Sequence, residues 1–371
     1  MKILISGYKG FIGRHLVNNL KYLHPGKYEL LFLDHHHLND EKKTDRLVSD
    51  CNIIVHLAGV NRMKNESDVY DLNIKITNAL VRSIERTKFI GKLIYASSVQ
   101  EKTSSFYGKS KFESRQIFIK NSKKIGYSFT GLIIPNVFGP FCRINYNSFI
   151  STLSYNVINN IEFKIDENKI IPLIYIDNLI EIIISQFHNE SLHEFDLSED
   201  ISISTLEVKK IIESFNLDYI DKNIIPDLKN DFYRNLFNTF RSYVNLNDHF
   251  PVIYNPIKDN RGSFFEVIRT KHKGQFSFST TLPGVERGHH FHTRKIERFT
   301  VIKGTALLKI RDINSKSITE FKLNGNQPSF IDIPIWNVHS IQNTGSEELI
   351  TLFWINEFYD PNDSDTYQEK V

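Results

Sequence analysis

The chemistry in this chain is written most densely in IYASSVQEKTSSFYGKSK, from Ile94 to Lys111. Tyr107 and Lys111 are four residues apart and share one face of a helix. An ammonium beside a phenol favours the phenolate, so the pattern predicts a Tyr107 pKa below its ordinary value of about 10. Such a phenol exchanges a proton with a substrate oxygen near neutral pH. Ser98, at the end of the preceding strand, can hydrogen-bond the same oxygen. The set suits interconversion of a carbonyl and an alcohol, although Tyr-x-x-x-Lys alone fits a solvated helix face equally well.

A second group opens the chain. An apolar run, Ile3 to Ile5, leads into Gly7-x-x-Gly10-x-x-Gly13 and then an amphipathic stretch through Leu20. This reads as strand, tight turn and helix. Bare glycines let backbone N–H groups approach a pyrophosphate, and a helix N-terminus favours its charge. A second strand, Glu29 to Leu33, ends at Asp34, where an acid bonds a ribose 2′-hydroxyl and repels a 2′-phosphate. His35, His36 and His37 follow in a polar stretch, 35–47, predicted to be a surface loop; contact with a cofactor ribose or phosphate is the alternative.

The third group lies far downstream. His290 and His292 are two apart, so on a strand they point to one face. Glu297 follows a turn, and His339 lies further on. Imidazoles with one carboxylate and no thiolate suit Zn²⁺, Fe²⁺, Mn²⁺ or Ni²⁺. One divalent ion is expected here, zinc first. His289 should face the other way and is left out.

The elements that carry these groups divide the chain. Residues 1 to about 135 alternate strand and helix, which predicts a parallel, doubly wound sheet. Residues 204–216 and 218–244 read as helical. From about His249 the period switches to two, with strands between turn residues, which predicts an all-β sandwich or jelly roll. The expected organisation is an α/β doubly wound Rossmann-type domain over 1–248, followed by an all-β (jelly-roll) domain over 249–371.

The chain is long enough for two such cores. Its net charge of +3 predicts no nucleic-acid partner. Two cysteines, Cys51 and Cys142, give no disulfide framework and point to a reducing compartment. No run of apolar residues is long enough for a membrane span, and the N-terminus enters a strand directly. The expectation is a cytoplasmic enzyme without a signal peptide or membrane partner.

GxxGxxG, HLAG (His56 to Gly59), Ser98 and YxxxK stand in the order and strand positions of the extended short-chain dehydrogenase/reductase family, which this half resembles. The resemblance implies cofactor contacts at Gly7, Gly10, Phe11, Ile12, Gly13, Asp34, Leu57, Ala58, Gly59 and Lys111. It implies catalysis by Ser98, Tyr107 and Lys111, and substrate contacts at Asn136 (in PNVFG) and at Asn145 and Asn147 (in NYNS). A polar helix cap explains Asn147 equally well. The downstream half resembles both cupin motifs, G-x5-H-x-H-x4-E-x6-G and P-x4-H-x3-N, with one departure: Trp336 stands where cupins usually have Gly.

A reductase followed by a cupin resembles the bifunctional capsular-polysaccharide and O-antigen nucleotide-sugar enzymes along nearly the whole chain. IVHLAGVNR, the short Ser98-to-Tyr107 spacing, DNRGSF and the tail WINEFYDPNDSDTY carry the likeness. It implies a UDP-4-keto-6-deoxy-HexNAc substrate. The cupin would epimerise C3 and the reductase would reduce the C4 ketone with NADPH, giving UDP-2-acetamido-2,6-dideoxy-L-talose for L-FucNAc synthesis by a homodimer. A monofunctional reductase with a structural or sugar-binding cupin is the alternative, and a nucleotide sensor without turnover is a third. The choice of NADPH stands against Asp34, and the residue that takes the C3 proton is left open.

Overall fold

The computed structural model describes residues 1–371 except 35–39, 147, 166, 190–192, 198–200, 255–256, 260–261, 265–266, 271–273, 358–359 and the side chains of 257–259, 262–264 and 269. The chain forms two compact units. The first comprises residues 1–149 and 165–208, the second 150–164 and 209–371.

The first unit begins β1 (Lys2–Ser6), α1 (Phe11–Asn18), β2 (Glu29–Leu33), α2 (Glu41–Ser49), β3 (Ile53–His56), α3 (Glu66–Thr87), β4 (Lys92–Ser98), α4 (Phe106–Ile125) and β5 (Ser128–Ile134). It continues with β6 (Asn136–Phe138), β7 (Ile170–Tyr175), β8 (His193–Asp196) and β9 (Ile201–Ser204). Six strands form one parallel sheet in the order β2-β1-β3-β4-β5-β8. Its inner strands are buried on both faces: Ile3, Leu4, Ile5, Ile54, Val55, Leu93 and Ile94 expose nothing. Continuous apolar runs of this kind are what helices on both faces of a parallel sheet require. The order turns at β1, between β2 and β3, and ligands of doubly wound sheets bind beyond the strand ends at such a point. The glycine turn, Leu57–Gly59 and Ser98 all lie at those ends. β6, β7 and β9 form a separate small sheet.

Residues 35–47 do not read as one loop. Residues 35–39 lie outside the described residues, but α2 starts at Glu41, and Asp40 caps it by accepting from Lys43 N at 3.1 Å. A cap of this kind is worth about 1 kcal/mol, enough to start a helix from a sequence with few apolar residues.

The second unit is built on two five-stranded sheets. One runs Val252–Ile253, Ser329–Ile333, Glu297–Lys303, Leu349–Ile355, Gln275–Thr281 in spatial order; the other runs Thr319–Asn324, Thr305–Asp312, Asn337–Asn343, Glu286–Phe291, Tyr367–Gln368. All pairs in both are antiparallel. The segment 218–244 is less helical than its pattern predicts: Ile224–Ile225 is a short strand, and the regular helix is Asp231–Arg241. Residues 209–248 group with the β strands for a visible reason. Arg298 and Asp332 face each other on neighbouring strands, fully buried, with Nε–Oδ1 and Nη2–Oδ2 distances of 2.7 and 2.9 Å. Arg241, from the helix, donates to the Ile333 carbonyl at 2.9 Å. Removing one partner of such a buried pair costs about 3–5 kcal/mol, because the other charge is left in the core.

Candidate active site and metal centre

One cavity of about 450 Å³ in the first unit is lined by Gly7, Gly10, Phe11, Ile12, Gly13, Leu57, Gly59, Ser98, Tyr107, Lys111 and Asn136. Lys9, Arg14 and Arg143, to which sequence reasoning assigned nothing, line it too, as does Tyr146 of the NYNS segment expected to meet substrate. Gly7 has φ +72°, and a Cβ on Gly13 would stand 2.2 Å from the Gly7 carbonyl oxygen. No other residue lets the turn fold so tightly against α1. α1 has no side-chain cap and no acid in its first turn, so its N-terminal partial positive charge is uncompensated by side chains.

The HLAG histidine is structural. His56 is buried, 2.6 Å from Ser6 Oγ, and ties β3 to β1. Burial, helped by the charge on Lys111, pulls its pKa down to about 3, so it is neutral.

Tyr107 and Ser98 face each other across the short loop. Ser98 caps the turn Val99–Lys102, with Oγ accepting from Gln100 N at 3.2 Å. Beneath it, Ser97 donates to Glu101 at 2.6 Å, and Arg115 holds both Glu101 oxygens, at 2.6 and 3.0 Å. This buried pair pins the short loop to α4. Burial pushes the Tyr107 phenol up to about 12; Ser98's hydrogen bond lowers it, and Tyr146 raises it. The expectation of a depressed tyrosine is therefore corrected. Lys111 donates to the Ala96 carbonyl at 2.9 Å and lies 5.8 Å from the Tyr107 ring centroid, and burial lowers its own pKa to about 8. For Tyr107, desolvation outweighs the hydrogen bond from Ser98.

The remaining residues are placed unevenly. Ala58 N donates to Ser6 Oγ at 3.3 Å, and Asn136 Nδ2 donates to the Pro172 carbonyl at 3.0 Å. Asn145 sits in a turn with φ +54° and does not line the cavity. Asn147 lies outside the described residues. Asp34 is not a cavity-lining residue either: its carboxylate accepts from Lys9 Nζ at 2.5 Å.

In the second unit, His290, His292, Glu297 and His339 converge, with one ligand atom from each lying within 4.8 Å of the others. His290 and His339 come from one five-stranded sheet, Glu297 from the other and His292 from the turn after Phe291, and they open on a cavity of about 360 Å³. His292 Nε2 is 3.1 Å from Glu297 Oε2. His339 Nε2 is buried, 3.3 Å from the same oxygen, yet makes no hydrogen bond. Burial, with the neighbouring imidazoles, pulls His290 down to about 4. Burial also opposes charge on Glu297, but His292 and His339 overcome it and hold the carboxyl well below its usual range. A neutral imidazole, an ionised carboxylate and a buried nitrogen without a hydrogen bond fit a divalent cation.

The turn before His339 survives the loss of glycine. Trp336 takes φ +59°, its N donates to the His292 carbonyl at 2.8 Å, and its buried ring stacks on Phe291 with centroids 5.2 Å apart. His289, at φ +57°, lies in a bulge next to Gly288 and stays out of the cluster.

Residues 3–193 match the model of the NAD dependent epimerase/dehydratase family. The chain belongs to that family. Residues 257–367 match the Polysaccharide biosynthesis C-terminal domain. This family member is 30% identical over 371 residues to a Pseudomonas aeruginosa protein named UDP-2-acetamido-2,6-beta-L-arabino-hexul-4-ose reductase, covering 99% of this chain and 98% of that one. It is similar in structure to the capsular polysaccharide assembling protein CapF from Staphylococcus aureus, with a TM-score of 0.61, 28% identity and full coverage of both chains. In fold alone it also resembles a Bacillus cereus UDP-N-acetylglucosamine 4-epimerase, with a TM-score of 0.52 and 17% identity over 58% of this chain and 81% of that one. Family membership implies a nicotinamide cofactor, and the bare glycine turn with the uncapped α1 suits its pyrophosphate. Among the described residues, no helix is long and apolar enough to cross a membrane.

Proposed function

We propose that the chain is a bifunctional nucleotide-sugar enzyme of polysaccharide synthesis, with a reductase domain over 1–248 and a cupin domain over 249–371. The observation that carries this is the convergence of Ser98, Tyr107 and Lys111 with the glycine turn on one cavity. The name of the full-length Pseudomonas aeruginosa relative supports a 4-keto sugar as substrate. The proposed substrate is a UDP-4-keto-6-deoxy-HexNAc, and the product is UDP-2-acetamido-2,6-dideoxy-L-talose, destined for L-FucNAc in capsule or O-antigen. A cytoplasmic homodimer is the proposed form.

When bound, the cofactor supplies hydride to C4. Ser98 donates a hydrogen bond to the C4 oxygen, and Tyr107, which holds its proton to high pH, delivers it to that oxygen. Lys111 holds the tyrosine's helix face against β4 through the Ala96 carbonyl. In the β unit the C4 ketone acidifies the neighbouring C3–H, and a base in the histidine-lined cavity exchanges that proton. His290, His292, Glu297 and His339 would hold the divalent ion, zinc first, which would supply Lewis-acid stabilisation of negative charge.

The proposed cofactor is NADPH. Lys9, inside the glycine turn, pairs with Asp34, so the acid that would repel a 2′-phosphate has a cation upon it. Side-by-side kcat/KM values for NADPH and NADH with the UDP-4-keto sugar test this reading. NADPH should be preferred, and Lys9→Gln should move the preference toward NADH. Equal use of both, or an NADH preference in the wild type, contradicts it.

A further inference from the structure

We propose that Asp365, in the C-terminal tail, is the positioning residue of the metal centre, an inference that rests on the reading of the histidine cluster as a metal site. Asp365 is buried, and it lies in the WINEFYDPNDSDTY segment that carries the family likeness, where the likeness gives it no role. Its carboxylate is surrounded by donors. Oδ1 accepts from Thr293 N at 3.1 Å and Thr293 Oγ1 at 2.6 Å; Oδ2 accepts from Arg294 N at 3.0 Å and Lys295 N at 2.9 Å. These donors span the turn between His292 and Glu297, two residues of the cluster.

The main chain of the same residue touches the cluster directly. The Asp365 carbonyl lies 2.6 Å from His292 Nδ1. A carbonyl can only accept, so Nδ1 carries a proton. Nε2, 3.1 Å from Glu297 Oε2, is then the nitrogen that would turn its lone pair to an ion held in place of that hydrogen bond. A hydrogen bond on the far nitrogen sets the tautomer and ring orientation of a metal-ligating histidine. Asp365 thus does two things at once: its side chain fixes the turn, and its carbonyl aims the imidazole at the turn's start.

The tail around it is held to the same purpose. Lys295 Nζ donates to the Ser364 carbonyl at 2.5 Å. Tyr367–Gln368 pairs with the strand that carries His290, with Gln368 opposite His290 and Tyr367 opposite Phe291. Asp365 itself has φ +40°, a left-handed conformation that Asp tolerates better than most residues. The sheets supply the ligands, and the tail aims one of them.

Zn²⁺ affinity of the full chain, measured by competition with a chromogenic chelator, tests the proposal. Asp365→Ala and the milder Asp365→Asn should each weaken Zn²⁺ binding roughly 10–100-fold. The double variant with His292→Ala should bind within about 2-fold of His292→Ala alone, since the Asp365 carboxylate would act on the metal only through the placement of His292. Co²⁺-loaded D365N should show the ligand-field change seen in H292A. Thermal melts in chelator establish that the variants fold; if D365A does not, D365N carries the test. Wild-type affinity in D365N, or losses that simply add in the double variant, overturn the role of Asp365 alone. A wild-type chain that takes up neither Zn²⁺ nor Co²⁺ overturns the metal reading and this inference with it.

Discussion

Tyr107 is half-buried with its proton held to about 12, so it is a donor rather than a ready base across the ordinary pH range. Tyr107→Phe should lower the rate of C4 reduction by about 10²–10⁴-fold, the usual worth of a positioned proton donor. Cofactor affinity should stay near wild type, because the phenol oxygen contributes nothing to the glycine turn. Stopped-flow reduction with parallel fluorescence titration of the cofactor checks both. Lys111 gives a second signature. Its pKa is pulled down to about 8 by burial, so its ammonium is lost as pH rises through that value. The kcat/KM for NADPH, which reports the free enzyme, should therefore fall above about pH 8 in a single-proton step. The tyrosine cannot be the source of that step, since it titrates far higher. A flat profile from pH 7 to 10 would count against a charged Lys111 in the site. The contrast with the sequence reading has a simple origin: spacing shows that an ammonium is near a phenol, but only packing shows how much water both have lost.

At the scale of elements, local signals were legible and compensated ones were not. The glycine turn, β1, β2 and the YxxxK helix follow from short-range patterns, and the switch of period near His249 marks the β strands beyond it. α2 was missed because its signal is one capping aspartate before a polar run. Trp336 is the opposite case. Sequence flags a missing glycine, yet the backbone keeps the left-handed turn because the indole stacks on Phe291 and Trp336 N is tied to the His292 carbonyl. Trp336→Gly relieves about 1–2 kcal/mol of left-handed strain. It also deletes a fully buried indole, worth about 3–5 kcal/mol. The loss outweighs the relief, so restoring the common residue should destabilise the protein by roughly 1–4 kcal/mol. Urea unfolding followed by fluorescence measures it; an unchanged or raised midpoint would mean that the stacking adds little.

For the whole molecule, composition and period were enough to separate an α/β half from a β half. The packing of 150–164 and 209–248 was not readable, because it rests on contacts such as Arg241 to Ile333 between residues far apart in sequence. Asp365 was hidden for the same reason: it works through backbone donors some seventy residues upstream. Each unit carries its own cavity and its own reactive set, and the central claim is that both act on one sugar. The direct measurement is NMR of the product formed from the UDP-4-keto-6-deoxy-HexNAc and NADPH in D₂O. The expected product is a C4 alcohol with deuterium at C3, and with Tyr107→Phe a 4-keto sugar that still gains deuterium at C3. A reduced product with protium retained at C3 would contradict it, leaving a reductase alone.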